Sequence, residues 1–404
     1  MKKFLSVVLS VVMVLSMSLL ASAEAPAGDV TLSFSDDGKF KIMNICDIQD
    51  DYPLNPATVT FVCEALDAAQ PDIVVLGGDN VELENAHEDG FHAEGPCDAP
   101  YCSNTKVFDQ VVAPFVERNI PFTLVFGNHD SQGDKPTREW QLKQYQRAGG
   151  DLCLAYDAVE ELHGCATHNL PVMSSDNSKV AFNLWMFDCG DYVFFDDGTD
   201  AYDCVRKDQL DWYKQVSTQL EKDNGGKVPS IAFQHIIVEE IFNAVFFKCP
   251  PALSLRKFDD GTAYSFIPNM FKFSGIMYEL PCPSVFNDGQ WDAFVERGDV
   301  LGCVTGHDHV NSFIATYKGI DIIQSPSASF ESYSDNTNRG VRMFTIDEKN
   351  PWTYETDILT SAEIAVMEGS KLPEASGMSV FAFKVFKFFH DFLNMLMDII
   401  VVKQ

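Results

Sequence analysis

Apolar side chains along this chain fall in short, dense runs, each of which stops abruptly at a polar cluster. Residues 40–46, 73–76, 121–126, 180–187, 230–233 and 300–305 are rich in Val, Ile, Leu and Phe. Bounded runs of this length predict strands buried on both faces. Between them, apolar positions step by three and four. Residues 56–69 open on Pro56, which suits a first helical turn, set Val59, Val62, Cys63 and Leu66 on one face, and stop before Pro71. Residues 106–118, 138–147, 207–220 and 290–297 predict further helices, with Asn224-Gly225-Gly226 closing the third. The strand, helix, strand succession over 40–76 is a βαβ unit and predicts a parallel sheet. Residues 192–195 predict another strand. Residues 313–317, 320–323 and 341–346 predict strands that follow 300–305 in a second sheet.

The pattern fails in four places. Residues 84–104 are polar, carry His87, His92, Cys97 and Cys102, and read as a loop inserted above the strand ends. Residues 244–290 are rich in Pro, Phe and Gly without a period, which suits a lid or substrate loop. Residues 361–378 read as a linker. Residues 379–404 are apolar except for Lys384, Lys387, Asp391, Asn394 and Asp398, which step by three and four and form one polar stripe on a helix. That helix has three open readings: docked on the body, lying in a membrane interface, or self-associating. Its charges argue against a membrane span. At the other end, Lys2 and Lys3 precede an apolar stretch that closes in Ala21-Ser22-Ala23. Residues 1–23 are therefore expected to be a signal peptide cut before Glu24, with an uncleaved anchor as the alternative. The mature protein is expected to be secreted, extracellular or at the cell surface, with one folded domain over 24–360.

The chain has 404 residues, 46% of them hydrophobic, enough to fill a sizeable core. Its net charge of −30 argues against a nucleic-acid partner, because phosphate backbones require Lys and Arg. A small anionic substrate is not excluded, since bound divalent cations can dominate the local field. Eleven cysteines leave at least one unpaired. Cys97 with Cys102 and Cys249 with Cys282 are the candidate disulfides. Cys46, Cys63, Cys189 and Cys303 lie in or beside apolar runs, where cysteine acts as a small hydrophobe.

The candidate chemistry sits where the strands stop. Asp47 and Gln49 follow the first run, Asp79 the second, Gly127-Asn128-His129-Asp130 the third, His235 the run at 230–233, and His307 and His309 the run at 300–305. Open α/β sheets bind ligands at that edge. Carboxylate, imidazole and amide donors suit Zn, Mn or Fe. In extended backbone His307 and His309 would face one side. The glycines before Asp79 would let the chain turn sharply. His87, His92, His163, His168 and His390 lack this context and read as surface or loop histidines.

The stretches ICDIQDD, PDIVVLGGDN, PFTLVFGNHD, QHIIVEEI and GDVLGCVTGHDHVNSF, spread over residues 38–348, resemble the calcineurin-like metallophosphoesterases, and within them the purple-acid-phosphatase-related branch of exported and fungal phosphatases. The resemblance implies an α/β fold, a four-layer αββα sandwich of two mixed sheets flanked by helices. It implies two divalent or trivalent metal ions (Mn, Zn or Fe). Asp47, Gln49, Asp79 and His309 would hold one, and Asp79, Asn128, His235 and His307 the other, with Asp79 bridging. His129 would contact the phosphate and protonate the leaving oxygen, with Asp130 orienting its ring. Two departures stand out. Gln49 replaces the family's usual His, and Glu82 stands where purple phosphatases carry a metal-binding Tyr, so no iron–tyrosinate centre is expected. The implied activity is hydrolysis of phosphate-ester small molecules by a dinuclear-metal-activated hydroxide. The alternatives are a non-hydrolytic exported binding or surface protein on a degenerate scaffold, and a lipid-directed phosphodiesterase whose last helix contacts a membrane surface.

Overall fold

A computed structural model describes residues 30–83, 102–132, 135–258 and 261–373. The expected signal peptide, the histidines His87, His92 and His390, the Cys97–Cys102 pair and the C-terminal helix lie, wholly or in part, outside them. In chain order the first half contains β1 (Lys39–Ile45), α1 (Pro56–Ala69), β2 (Ile73–Gly77), α2 (Cys102–Val116), β3 (Phe122–Val125), α3 (Arg138–Gly149), β4 (His168–Met173) and β5 (Val180–Met186). A short hairpin follows, β6 (Tyr192–Phe194) and β7 (Asp200–Tyr202), then α4 (Lys207–Asn224), β8 (Ser230–Phe233) and α5 (Ile241–Val245). The stretch without periodicity folds into β9 (Phe246–Lys248), β10 (Arg256–Lys257), β11 (Ala263–Pro268) and β12 (Phe273–Ser274). The chain continues through α6 (Gln290–Arg297), β13 (Val300–Thr305), β14 (Ile314–Tyr317), β15 (Ile320–Gln324), β16 (Gly340–Asp347), β17 (Tyr354–Thr360) and α7 (Ser361–Ala365).

Two mixed sheets carry the fold, in the orders β17-β16-β1-β2-β3 and β12-β14-β15-β13-β8-β5-β4. The alternation of strand side chains shows how they stack. Phe40, Ile42, Ile73, Val75, Val125, Ile231, Phe233 and Val304 share one core with Phe182 and Leu184, between the sheets. Their sequence neighbours Met43, Ile45, Val74, Leu76, Phe122 and Leu124 point the other way, onto Phe61, Leu66, Phe108 and Tyr145 of α1, α2 and α3. On the far side, Trp185, Ala232 and Cys303 meet Leu210, Tyr213, Trp291 and Phe294 of α4 and α6. The result is helix, sheet, sheet, helix, as expected. The strands are apolar at nearly every position because both faces are covered.

Four expectations are corrected. Residues 341–346 do not continue the second sheet. They belong to β16, which runs antiparallel along the free edge of β1 with Met343 opposite Met43. Residues 361–373 are not a free linker. Thr360 and Glu363 form a capping box that starts α7, Ile364, Ala365 and Leu372 are buried against the first helical layer, and Glu64 of α1 accepts bonds from Ser370 and Lys371. Cys249 and Cys282 are both free, each thiol turned to a nearby carbonyl, Leu253 O and Leu280 O respectively. His168 is a core residue rather than a surface one, held between Thr123 Oγ1 at 2.7 Å and Ala166 O at 2.8 Å.

Candidate metal centre

β1, β2 and β3 run parallel in one sheet, and β8 and β13 run parallel in the other. Their carboxyl ends meet. Asp47, Asp79 and Asn128 therefore arrive from the first sheet, and His235, His307 and His309 from the second. Two groups of ligand-type atoms result, each within 4.8 Å: Asp79 with His235 and His307, and Asp47 with Asp79 and His309. Asp79 belongs to both.

The backbone that delivers these groups is unusual. Asp47, Gln49, Asp79 and His307 have φ of 54°, 39°, 48° and 74°, a left-handed region that non-glycine residues seldom enter. Such strain concentrates at functional sites. It also corrects the expectation of an extended His307-Asp308-His309, for the chain turns at His307 and sends its two imidazoles to different groups. The neighbouring glycines make room as well as turn. A Cβ at Gly78 would lie 2.4 Å from the His235 ring, at Gly127 2.2 Å from Asp79 Oδ1, and at Gly306 2.7 Å from Asp47 Oδ2.

Each donor is held so that one atom stays free. His235 Nδ1 donates to Gly77 O at 2.9 Å and His309 Nδ1 to Tyr333 O at 2.8 Å, which leaves both Nε2 lone pairs facing the carboxylates. Asn128 Nδ2 donates to Tyr192 OH at 3.2 Å, leaving its Oδ1 free. Asp79 Oδ1 accepts from the His129 amide at 2.7 Å, and its Oδ2 faces His235 Nε2 at 3.1 Å. Asn128 Oδ1 is buried without a hydrogen-bond partner, and Asp79 Oδ2 and His235 Nε2, also buried, have only each other. A buried, unpaired carbonyl oxygen is costly, and the two buried carboxylate–imidazole groups nearby in the fold are a donor set that fits a bound cation. Without a cation, these groups balance one another's charge, and His235 would have to give up a proton to ligate a metal. Burial would raise the Asp79 carboxyl, but His235 beside it holds it below the usual carboxylate range. Burial would lower His235, but Asp79 and Asp47 push it up to about 10. His307, buried and facing His235, falls to about 3.

Gln49 lies beside the second group, where its Oε1 accepts from Ser332 Oγ at 2.9 Å. Glu82 pairs with Lys135, whose Nζ also donates to His129 O at 3.1 Å. The structure changes the part given to Asp130. Its oxygens accept from the amides of Asn80 at 3.0 Å, Val81 at 3.3 Å and Gly127 at 2.7 Å. It pins the two ligand-bearing turns together, and among the described residues no hydrogen bond joins it to the His129 ring. Three supporting features had no sequence signal. Arg138 forms a buried ion pair with Asp188 and donates to Gly127 O at 2.8 Å, Tyr202 stands edge-on to His307 at 4.4 Å, and Tyr333 stacks on His309 at 4.0 Å.

A layered sandwich that gathers two overlapping groups of carboxylates and imidazoles at one strand edge defines a class of metal-site proteins. The family is specific: the model of calcineurin-like phosphoesterases matches residues 40–311, and the chain belongs to that family. Probable inactive purple acid phosphatase 14 of Arabidopsis thaliana is 27% identical over 332 residues, covering 75% of this chain and 73% of its own. Phosphatase DCR2 of Saccharomyces cerevisiae is 25% identical over 248 residues, 57% of this chain and 40% of its own. Among solved structures, a dimetal phosphatase of Danio rerio aligns over 80% of this chain and 98% of its own at 14% identity, with a TM-score of 0.45.

Proposed function

We propose that the protein is an exported, metal-dependent phosphoesterase acting on phosphate-ester small molecules. Asp47, Gln49, Asp79, Asn128, His235, His307 and His309 would hold two ions of Mn, Zn or Fe. The observation that supports this most directly is the gathering of Asp47, Asp79, His235, His307 and His309 into two overlapping groups of ligand-type atoms that share Asp79. Bound there, the ions would supply positive charge for phosphoryl oxygens and acidify a water. The chain's own residues do the rest. Asp79 serves both groups through one carboxylate. The carbonyls of Gly77 and Tyr333 fix the tautomers of His235 and His309. His129 is only partly buried, and among the described residues its ring has no hydrogen-bond partner, so it is available to touch the ester and give a proton to the leaving oxygen.

A second reading, a binding protein on a degenerate scaffold, draws support from two facts. The Gln49 carbonyl is engaged by Ser332, and the word "inactive" stands in the names of three Arabidopsis thaliana relatives. One experiment separates the readings. The protein is chelated, supplied with Mn, Zn or Fe, and assayed on aryl phosphate monoesters and diesters. Hydrolysis lost on chelation and regained with metal is expected. A folded protein with full metal content and no hydrolysis of either ester would establish the second reading.

A further inference from the structure

Tyr192 opens the β6–β7 hairpin, which forms a two-stranded sheet of its own. Its hydroxyl accepts from Asn128 Nδ2 at 3.2 Å. Among the described residues this is the one hydrogen bond of the Asn128 side chain, whose Oδ1 is buried without a partner. The two ends of a side-chain amide are nearly equal in size, so turning it over costs little packing and exchanges oxygen for nitrogen. Its partners decide which atom faces which way. A phenol that takes the N–H turns the nitrogen toward the hairpin and leaves the oxygen for the other side. Turned over, the amide would aim N–H groups at any cation there instead of a lone pair.

The hairpin is fastened to the turn that carries Asn128. Asp191 Oδ1 accepts from the Tyr192 amide at 2.6 Å, and its Oδ2 accepts from Ser131 Oγ at 3.2 Å. Ser131 Oγ in turn accepts from Arg138 Nε at 2.9 Å, and Arg138 also donates to Gly127 O at 2.8 Å. The second strand closes on the same base, where the Asp203 amide donates to Asp191 O at 3.0 Å. The Tyr202 ring lies 5.2 Å from that of Tyr192 and 4.4 Å from that of His307. A two-stranded hairpin is marginal in water by itself, so such ties decide where it sits. We propose that Tyr192 is a positioning residue for the metal centre: its hydroxyl holds the Asn128 amide with the oxygen available to the ion of the Asp79, His235 and His307 group, and so sets the affinity for that ion. This rests on the reading of Asn128 as a ligand. A bond that orients a ligand in this way is typically worth about ten- to a hundredfold in metal affinity.

Calorimetric titration of the chelated full-length mature protein with Mn tests this without any ester. The parent is expected to take up two ions. Tyr192→Phe keeps the ring and is expected to weaken one of them about ten- to a hundredfold and spare the other, with an unchanged melting temperature in chelator. Asn128→Ala is expected to weaken the same ion. Adding Tyr192→Phe to Asn128→Ala is expected to cost nothing further, because a residue that acts through the amide has nothing to hold once the amide is gone. Phe194→Ala removes a ring that is 76% exposed from the same hairpin and is expected to bind Mn as the parent does. Parent-like binding by Tyr192→Phe, a full further loss in the double variant, or an equal loss in Phe194→Ala would overturn the assignment and leave the metal centre standing. A parent that takes up no Mn would overturn the reading of the centre itself, so the two failures are distinguishable.

Discussion

His129 and Gly127 sit two residues apart on one turn, and they fail differently when changed. The His129 amide holds Asp79, but its ring holds nothing among the described residues. His129→Ala is therefore expected to keep metal content, measured by elemental analysis, while turnover on an aryl phosphate falls roughly a hundredfold to ten-thousandfold. Unchanged turnover would remove the ring from the chemistry. Gly127→Ala acts through space instead. Its methyl group would have to occupy a point 2.2 Å from Asp79 Oδ1, so the carboxylate serving both groups must move. That variant is expected to lose metal as well as activity, and retention of full metal content would show that the turn yields more than its packing suggests. These contrasts explain which residues could be read in advance. Asp47, Asp79, Asn128, His235, His307 and His309 are ligand-type side chains placed singly after apolar runs, a local signal. Arg138, Ser332 and Tyr333 reach the site from a helix and from the crossing between β15 and β16, and nothing in their neighbourhoods marks them. Asp130 was visible too, but its bonds to the amides of Asn80, Val81 and Gly127 were not, because a carboxylate that caps two turns looks in sequence like one that orients a histidine.

Among the elements, α1, β8, α6 and β13 lie where their periodicity put them, since each is either doubly buried or cleanly amphipathic. β4 and β17 went unseen. β4 contains Pro171 and has β5 as its one strand neighbour at the sheet edge, and β17 mixes Glu355, Asp357 and two threonines with its apolar residues along the other sheet's edge. Edge strands carry weak apolar signals because one side lacks a neighbour. β4 also places His168 where it must stay neutral. Burial pushes the imidazole down to about 4, below the ordinary value of about 6.5 that the unfolded chain would show. Its stabilising share is thus complete above about pH 6.5. As the pH falls toward 4 the unfolded chain takes up a proton that the folded one refuses, and stability drops by on the order of 3 kcal/mol. Urea unfolding at pH 7 and pH 5 is expected to show a smaller loss in His168→Gln than in the parent. Equal losses would move the acid sensitivity to the buried carboxylates. On α3, Arg138→Met strands the Asp188 carboxylate in the interior, and a destabilisation of about 3 kcal/mol or more is expected in the same assay.

For the whole molecule, the site is a seam. Asp47, Asp79 and Asn128 belong to one sheet and the three histidines to the other, so an occupant of both groups would join the two halves of the sandwich. Without one, Asp79 and His235 are left to pair across the seam, and the buried Asn128 Oδ1 has no hydrogen-bond partner. A ligand that binds only the folded chain stabilises it by about 2.7 kcal/mol at a hundredfold excess over its dissociation constant. For a domain of this size that amounts to several degrees in melting temperature, by the usual scaling of roughly 2–4 °C per kcal/mol or somewhat less. Chelated protein is therefore expected to melt lower, and added Zn or Mn to restore the loss in the parent and in His129→Ala but not in Asp79→Asn. The three-way comparison matters because metal also binds unfolded histidines, which would lower the melting temperature of every variant alike. A rise confined to the two chains with Asp79 intact could come only from an ion held across the seam. A flat response in the parent would mean that the two sheets meet without one, held at this point by the Asp79–His235 pair.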